Sequence, residues 1–305
     1  AWTENRPENF LYGTWLENKV GIHDLAPGDH VFRFECVGSH PLSRAADSDA
    51  PLPPAPSGQT WQLVWHDEFD GNTINLNNWT YDIGGWGWGN GEAQYYTDRP
   101  ENARVENGLL VIEARFERFE NSYYTSARLK SQGLQEFQYG WIEARTKVSR
   151  GPGLWPAFWM LGGNFESNFD DSGVYKSNWP FVGEIDIMEY VGREPNLVFG
   201  TAHGPGYSGA LGLGRWNRQD FPIADEFHTY AVEWNYEGIT WFFDNQPYFT
   251  LNRGDVGNRE WVFDHEFFII LNLAVGGTFP GPIALDTKFP TNYYVDYVRV
   301  YQQVP

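Results

Sequence analysis

The sequence predicts an all-β protein, an antiparallel β-sandwich of two sheets, and three observations lead to this prediction. Eleven segments have the length and the β-branched or aromatic content of strands. No long stretch has the 3.6-residue apolar period of a helix. The strands therefore lack the crossover helices that a parallel α/β sheet requires.

The predicted strands follow one another from residue 61 to residue 301. They are Trp61–His66, Leu109–Phe116, Ser126–Ser131, Gly140–Val148, Ala157–Leu161, Gly183–Tyr190, Leu197–His203, His228–Asn235, Ile239–Asp244, Phe267–Leu273 and Tyr293–Tyr301. The clearest alternation lies in the fourth strand, where Ile142, Ala144 and Thr146 fall on one face. A hairpin is predicted around Asp244-Asn245-Gln246, with a turn of three or so residues.

The chain of 305 residues is strongly acidic, with 21 Lys and Arg against 40 Asp and Glu and a net charge of −19. This charge excludes a nucleic-acid binder, which needs a cationic surface. No apolar run is long enough to cross a membrane.

Aromatic residues make up 18% of the chain. They exclude disorder and leave two explanations open, a core of large side chains or a surface that stacks on sugars. The single cysteine, Cys36, has no intramolecular disulfide partner, and we expect a buried, inert thiol.

Composition divides the chain into three regions. Residues 1–42 are a short β-rich N-terminal extension or the remnant of an accessory module, because so short a segment cannot bury an adequate core. Residues 43–58 form a linker rich in Pro, Ala and Ser. Residues 59–305 contain the predicted strands and form the main domain.

The most informative segment is the predicted strand Gly183–Tyr190, which carries three acids where a buried strand would carry apolar side chains. Glu184 and Asp186 are two residues apart and therefore share a face. In a regular strand Glu189 would point to the opposite face. It joins the other two acids only if a β-bulge near Met188 inserts one extra residue.

Carboxyl groups brought together in this way suit glycosidic bond cleavage. A retaining glycosidase uses one carboxylate as the nucleophile and a second carboxyl group as the acid and base. We expect close carboxyl groups to have separated pKa values, the raised one being the acid. A solvated strand with alternating acids is the plainer alternative, and a metal site is another. The absence of a neighbouring histidine in the segment favours carboxylate catalysis over zinc.

Six further blocks carry a family resemblance in the expected order. The segment "GEIDIMEY" resembles the catalytic signature of glycoside hydrolase family 16, in its bulged form. The other blocks resemble those of the laminarinases of that family, the endo-β-1,3-glucanases. They are "WHDEFDG" (65–71), "GWGWGNGEAQYYT" (85–97), "YGWIEARTKV" (139–148), "GLWPAFWMLG" (153–162), "NLAVGG" (272–277) and "YYVDYVRVYQ" (293–302).

The resemblance implies a concanavalin-like jelly roll with a concave glycan-binding cleft. Residues 59–305 would be the catalytic domain, with Glu184 as nucleophile, Asp186 as assisting acid and Glu189 as acid/base. It also implies six substrate-binding residues, Trp155, Trp159, Asn90, Arg128, His203 and Trp179. Three of these have structural alternatives: a core position for Trp159, a surface strand position for Arg128 and a satisfied structural role for His203. We expect His203 within reach of the leaving-group side.

The resemblance further implies a structural calcium ion and no cofactor for catalysis. The matching calcium ligands are Glu68, the backbone carbonyl of Gly108 and Asp296, and the alternative is that the two acids are surface or capping carboxylates. We expect a secreted protein that acts as a monomer on a β-glucan polysaccharide or oligosaccharide, with no nucleic-acid or membrane partner.

The acidic charge favours a neutral glucan over sulfated galactans. The first hypothesis is therefore a retaining endo-glycosidase acting on β-1,3-glucan such as laminarin. Three alternatives stay open: an endo-1,3(4)-β-glucanase preferring mixed-linkage glucan, a β-glucan-binding protein without hydrolytic activity, and a transglycosylase. The presence of all three acids favours an enzyme over a binding protein.

Overall fold

The computed structural model describes the backbone of residues 60–304 and the side chains of residues 61–303. The predictions for residues 1–42, the linker 43–58 and Cys36 lie outside the described residues.

Each of the eleven predicted strands overlaps an observed one. The strands of the described part are β1 (Thr60–Asp67), β2 (Thr80–Tyr81), β3 (Gln94–Tyr96), β4 (Ala103–Glu106), β5 (Leu109–Phe119), β6 (Ser122–Ser126), β7 (Arg128–Lys130), β8 (Glu136–Phe137), β9 (Gly140–Lys147), β10 (Leu154–Gly162), β11 (Ser167–Phe169), β12 (Tyr175–Ser177), β13 (Glu184–Glu189), β14 (Leu197–His203), β15 (Leu213–Arg218), β16 (His228–Trp234), β17 (Gly238–Phe243), β18 (Gln246–Asn252), β19 (Phe267–Val275) and β20 (Thr291–Val304).

The strands form two large sheets, which confirms the predicted all-β sandwich. A ten-stranded sheet has the order β18-β17-β16-β9-β20-β5-β6-β3, with β1 paired to β20 and β4 paired to β5. An eight-stranded sheet has the order β15-β14-β13-β10-β19-β7-β2, with β8 paired to β19. The pairings are antiparallel except that of β3 with β6. Strands β11 and β12 form a separate two-stranded hairpin.

One apolar core joins the two sheets. It contains Ile142 and Ala144 of β9 from the larger sheet together with Ile185 and Ile187 of β13 from the smaller one, all of them buried. Because side chains alternate along a strand, the burial of Ile185 and Ile187 turns their neighbours toward the opposite face of the smaller sheet. That opposite face carries the candidate site, and we call it the site face.

The hairpin predicted around residue 245 is present as β17 and β18. Its turn has two residues rather than about three, because β17 ends at Phe243 and β18 begins at Gln246. Asp244 and Asn245 both have positive φ, 47° and 62°, the backbone of a type I′ turn, which Asn and Asp accept readily.

Helix is confined to short 3₁₀ turns within the described residues. These are Gly209–Leu211, Ile223–Asp225 and Arg253–Val256. Across residues 60–304 no helix has the length and apolar character needed to span a membrane.

Candidate active site

A β-bulge in β13 brings the three acids to one face, as the sequence predicts. On the neighbouring strand β10, Glu184 is opposite Leu161, Asp186 is opposite Trp159 and Glu189 is opposite Ala157. These three partners are spaced by two residues and share a face. The register shift between Phe158 and Trp159 absorbs the extra residue of β13.

The other neighbour of β13 gives the same result. Glu184 pairs with His203 of β14, Asp186 with Thr201 and Glu189 with Phe199. These three positions on β14 are again two residues apart, so they and the three acids lie on the site face.

Each of the outer two acids is held by a tryptophan. Trp179 donates its indole N–H to Oε2 of Glu184 at 2.9 Å, and Trp155 donates to Oε1 of Glu189 at 3.1 Å. Indole is a donor only, so both contacts require an accepting oxygen and fix the orientation of each carboxyl group. Asp186 lies between them with only 6% of its side chain exposed.

Burial raises the pKa of all three carboxyl groups. Burial, followed by the charge of Asp186, raises the pKa of Glu184 to about 8, while His203 and the Trp179 bond lower it. Burial also raises the pKa of Asp186 to about 8. Burial, then the charge of Asp186, holds the pKa of Glu189 well above its usual range. The raised pKa of Glu189 favours its protonated form, which is the state a general acid needs.

His203 lies beside Glu184 and Asp186. Its Nε2 atom is 3.1 Å from Oδ2 of Asp186 and 3.7 Å from Oε1 of Glu184. Strand β14 pairs His203 with Glu184 and places Phe199 opposite Glu189, while the charge of His203 still acts on Glu189, and a position within reach of the leaving-group side stays a prediction.

The same three residues form a potential metal-binding group. Ligand atoms of Glu184, Asp186 and His203 lie within 4.8 Å of one another. The sequence argument against a metal relied on the lack of a nearby histidine, and the fold supplies one from β14. Glu189 is outside this group, so a metal here would not involve the acid that Trp155 holds.

Trp155 and Trp159 both lie on β10, four residues apart, and both are half-buried on the site face. Trp159 pairs with Asp186 across the strands and donates its indole N–H to Oδ1 of Asn272 at 2.7 Å. The ring of Trp155 packs edge-on against Phe279 at 5.4 Å. Trp159 also packs against the buried cluster of Leu161, Val182, Phe268 and Ile270, so its ring has a packing role as well as a partly exposed face.

Arg128 lies further along the site face, opposite Asn272 of β19. Its guanidinium is 4.7 Å from the Trp159 ring and 5.0 Å from the Trp88 ring, and its Nε is 2.9 Å from Asp82. The side chain is therefore sandwiched between two indoles rather than free on the surface. Asn90, in the loop before β3, donates to Oε1 of Glu92 at 3.0 Å.

The long segment 163–182 contains the hairpin β11–β12, which contacts the loop before β3. Tyr175 stacks on Trp86 at 4.1 Å, and Trp86 lies 4.8 Å from Trp88. At the base of the hairpin, the backbone oxygen of Phe165 accepts a 3.0 Å bond from Gln132, just beyond β7. The hairpin thus meets the site face at its β7 end, where Arg128 lies.

The two acids expected to bind calcium are each paired with an arginine. Both oxygens of Glu68 accept from Arg299, at 2.8 and 3.1 Å, and Asp296 accepts from Arg145 at 2.6 Å. The calcium ligand set stays a prediction. Gly108 lies in the β4–β5 turn with φ 75°.

Several site residues escaped the sequence analysis. Asn272, Glu92 and Tyr96 lie in blocks that were noted for their resemblance, yet only Asn90 was selected from the block 85–97. For Asn272 the signal is a polar side chain in the middle of an otherwise apolar, fully buried strand, β19. Phe199 and Phe279 carried no such signal.

This fold and this cluster of carboxyl groups define a glycoside hydrolase. A sequence model of the family described as "Glycosyl hydrolases family 16" matches residues 86–299. The chain belongs to this family.

The similarity extends to relatives and solved structures. A Rhodothermus marinus protein named beta-glucanase is 46% identical over 254 residues, which are 80% of this chain and 86% of that protein. The laminarinase catalytic domain of Thermotoga petrophila RKU-1 is 45% identical with a TM-score of 0.74, covering 81% of this chain and 100% of that domain. The endo-beta-1,3-glucanase of Pyrococcus furiosus is 43% identical with a TM-score of 0.76, covering 84% and 99% of the two chains.

Proposed function

We propose that the protein is a retaining endo-glycosidase that hydrolyses internal β-1,3 linkages of β-glucans such as laminarin. The observation that carries this proposal is the bulge of β13, which places Glu184, Asp186 and Glu189 on one face. The relatives support the linkage, since two of the similar structures are named as a laminarinase domain and an endo-beta-1,3-glucanase.

The reaction is a double displacement. Glu184 attacks the anomeric carbon while Glu189 gives its proton to the glycosidic oxygen, so the leaving chain departs as an alcohol and a glycosyl ester forms on Glu184. Glu189 then takes a proton from water, which attacks the anomeric carbon and releases Glu184. Two inversions retain the β configuration. Asp186, between the two, orients Glu184 and shares its negative charge.

Different charged neighbours act on the two glutamates. Burial and the charge of Asp186 raise the pKa of Glu184 to about 8, while His203 and the Trp179 indole oppose that rise. Burial and the charges of Asp186 and Glu184 raise the pKa of Glu189 well above its usual range, against opposing effects of His203 and Trp155. Retaining hydrolysis requires Glu184 to give up its proton while Glu189 keeps one.

The test is the release of reducing ends from laminarin, lichenan, agarose and carrageenan by the wild-type protein and by Glu184→Ser. We expect wild-type activity highest on laminarin and none from the variant. Higher activity on lichenan would favour the mixed-linkage alternative. Binding of laminarin without release of reducing ends would contradict the enzyme proposal in favour of a glucan-binding protein.

Two product measurements complete the test. NMR of fresh product should show the β anomer first, and the α anomer first would exclude retention. Elongated chains at high oligosaccharide concentration would indicate transglycosylation, in which a sugar replaces water in the second step.

We also propose that the protein is secreted and acts as a monomer. A polymeric substrate supports secretion, since such a chain is met outside the cell. Fractionation of the source cells and the elution volume in size-exclusion chromatography check the two statements.

A further inference from the structure

Glu92 is a buried carboxylate of the site region that the proposed reaction does not use. Only 8% of the residue is exposed, and three donors converge on its two oxygens. Asn90 donates to Oε1 at 3.0 Å, while Gln94 and Tyr96 donate to Oε2 at 2.6 and 3.0 Å. A group with this environment accepts every bond it makes, which is the behaviour of an ionised carboxylate.

A chain of hydrogen bonds links Glu92 to Trp159, which lies opposite Asp186. The Trp159 indole donates to Oδ1 of Asn272 at 2.7 Å, and the Asn272 amide donates to the Tyr96 hydroxyl at 3.2 Å. Tyr96 donates in turn to Glu92. Indole nitrogen is a donor only, so the direction of the whole chain is set, and it must end on a group that only accepts.

We propose that Glu92 is a positioning residue that sets the orientation of two of the predicted sugar-binding side chains, Asn90 and Trp159, through the two oxygens of one carboxylate. Oε1 holds the Asn90 amide directly, and Oε2 holds Trp159 through Tyr96 and Asn272. This inference rests on the proposed function for the identity of the substrate, while the hydrogen-bond chain itself does not.

Two hydrogen-bond connections leave Glu92: the Asn90 arm from Oε1, and the Trp159 arm from Oε2 through Tyr96 and Asn272. The isosteric variant Glu92→Gln disrupts one of these arms whichever way its amide turns. If the new NH₂ faces Tyr96, it also meets the Gln94 amide, a second donor, and the Tyr96 hydroxyl must turn its proton away from residue 92, which loosens the connection to Trp159. If it faces Asn90, two donors meet and the Asn90 amide must reverse. Either rotation changes the polar groups that a glucan would meet, because Asn90 and Trp159 line the site.

A matched control exists in the other sheet. Glu143 of β9 is also buried, 4% exposed, and accepts from an indole, that of Trp141, at 2.8 Å. Burial raises the pKa of both Glu92 and Glu143. Glu143→Gln therefore carries a comparable cost for the fold but lies outside the site, which separates loss of stability from loss of positioning.

The experiment compares wild type, Glu92→Gln and Glu143→Gln by kinetics on laminarin and by NMR of the indole and side-chain amide groups of ¹⁵N-labelled protein, with Trp159→Phe and Asn90→Ser to assign the two signals. We expect Glu92→Gln to raise KM about tenfold with little change in kcat, and to shift the Trp159 indole signal or that of the Asn90 amide. Glu143→Gln should leave KM unchanged and shift Trp141 alone.

Tyr96→Phe keeps the test decisive if Glu92→Gln does not fold. It interrupts the Trp159 arm without touching the Asn90 arm, so the Trp159 signal should shift while the Asn90 amide stays in place. Equal kinetic losses in Glu92→Gln and Glu143→Gln, or unchanged Trp159 and Asn90 signals, would overturn the proposal. If wild type does not hydrolyse laminarin, the proposed function fails. The NMR measurements alone then decide whether Glu92 orients Trp159 and Asn90.

Discussion

Trp179 donates its indole N–H to Oε2 of Glu184 at 2.9 Å. Trp179 belongs to the segment before β13, and its ring lies 6.1 Å from that of His203. The bond favours the charged form of Glu184 and fixes the oxygen it contacts, leaving the other oxygen toward Asp186 and His203. The proposed nucleophile is therefore oriented by a residue outside its own strand.

Trp179→Phe removes this donor and keeps most of the ring. We expect kcat/KM on laminarin to fall about tenfold, because one hydrogen bond to a charged group is lost. Steady-state kinetics measure the change. Trp261→Phe is the control, since the Trp261 indole donates to Asp264, a carboxylate away from the site face, at 3.2 Å. An equal loss in both variants would contradict a specific role for Trp179.

Glu189→Gln removes the acid while retaining an oxygen that can accept from Trp155. Hydrolysis of laminarin should fall by about 10²–10⁴, the usual contribution of a general acid. An aryl glucoside with a good leaving group needs no protonation, so its first step should be affected far less. Glu233→Gln in β16 is the control, because burial raises the pKa of this carboxyl too. Equal losses on the two substrates would remove Glu189 from the acid role.

Much of the fold and the acidic centre could be predicted because both depend on local pattern. The spacing of Glu184, Asp186 and Glu189 along one strand requires a bulge if they are to act together, and the bulge is present. Strand partners depend on contacts distant in sequence. The pairing of His203 with Glu184 therefore could not be predicted from the spacing along β13.

Short strands also escaped prediction for a physical reason. Strands β11 and β12 have three residues each, with mostly exposed side chains, so they carry no apolar alternation. The pairing of Glu68 with Arg299, 231 positions later in the chain, has no local signal either.

The pKa of Glu184 predicts how stability changes with pH. Burial and the charge of Asp186 raise this pKa to about 8, above the value near 4.3 of an unfolded glutamate. The folded state binds the proton more tightly, so the stability from Glu184 is fully present below about pH 4 and is lost as pH rises to about 8.

Glu184→Gln is neutral at every pH and does not incur this loss. We expect the Tm of the variant to match wild type near pH 4 and to exceed it by about 10 °C at pH 8, measured by calorimetry. Glu117→Gln should behave in the opposite sense. Burial raises the pKa of Glu117, but bonds from Thr125 and Arg99 lower it overall. Wild type therefore gains stability from this group as pH rises, and Glu117→Gln should fall below wild type in Tm over the same range. Curves of Tm against pH that run parallel for wild type and Glu184→Gln would contradict a raised pKa of Glu184.

The contact between Trp86 and Tyr175 predicts the product pattern. The hairpin β11–β12 meets the loop before β3 through this stacked pair at 4.1 Å, and Trp86 continues through Trp88 to Arg128. A glucan lying across β13, β10 and β19 toward β7 meets these rings at the end of the site face. We therefore expect them to limit how many sugar units bind on that side.

The double variant Trp86→Ala, Tyr175→Ala removes both rings from this end. Chromatography of laminarin digests at equal extent of reaction should show longer early products than wild type, because the chain can extend past the former contact. Tyr236→Ala is the control, since Tyr236 is 57% exposed in the β16–β17 turn of the other sheet. Unchanged products would place the rings off the path of the glucan. Product lengths that stay the same while KM rises would indicate that the two rings stack on the glucan rather than limit how far it extends.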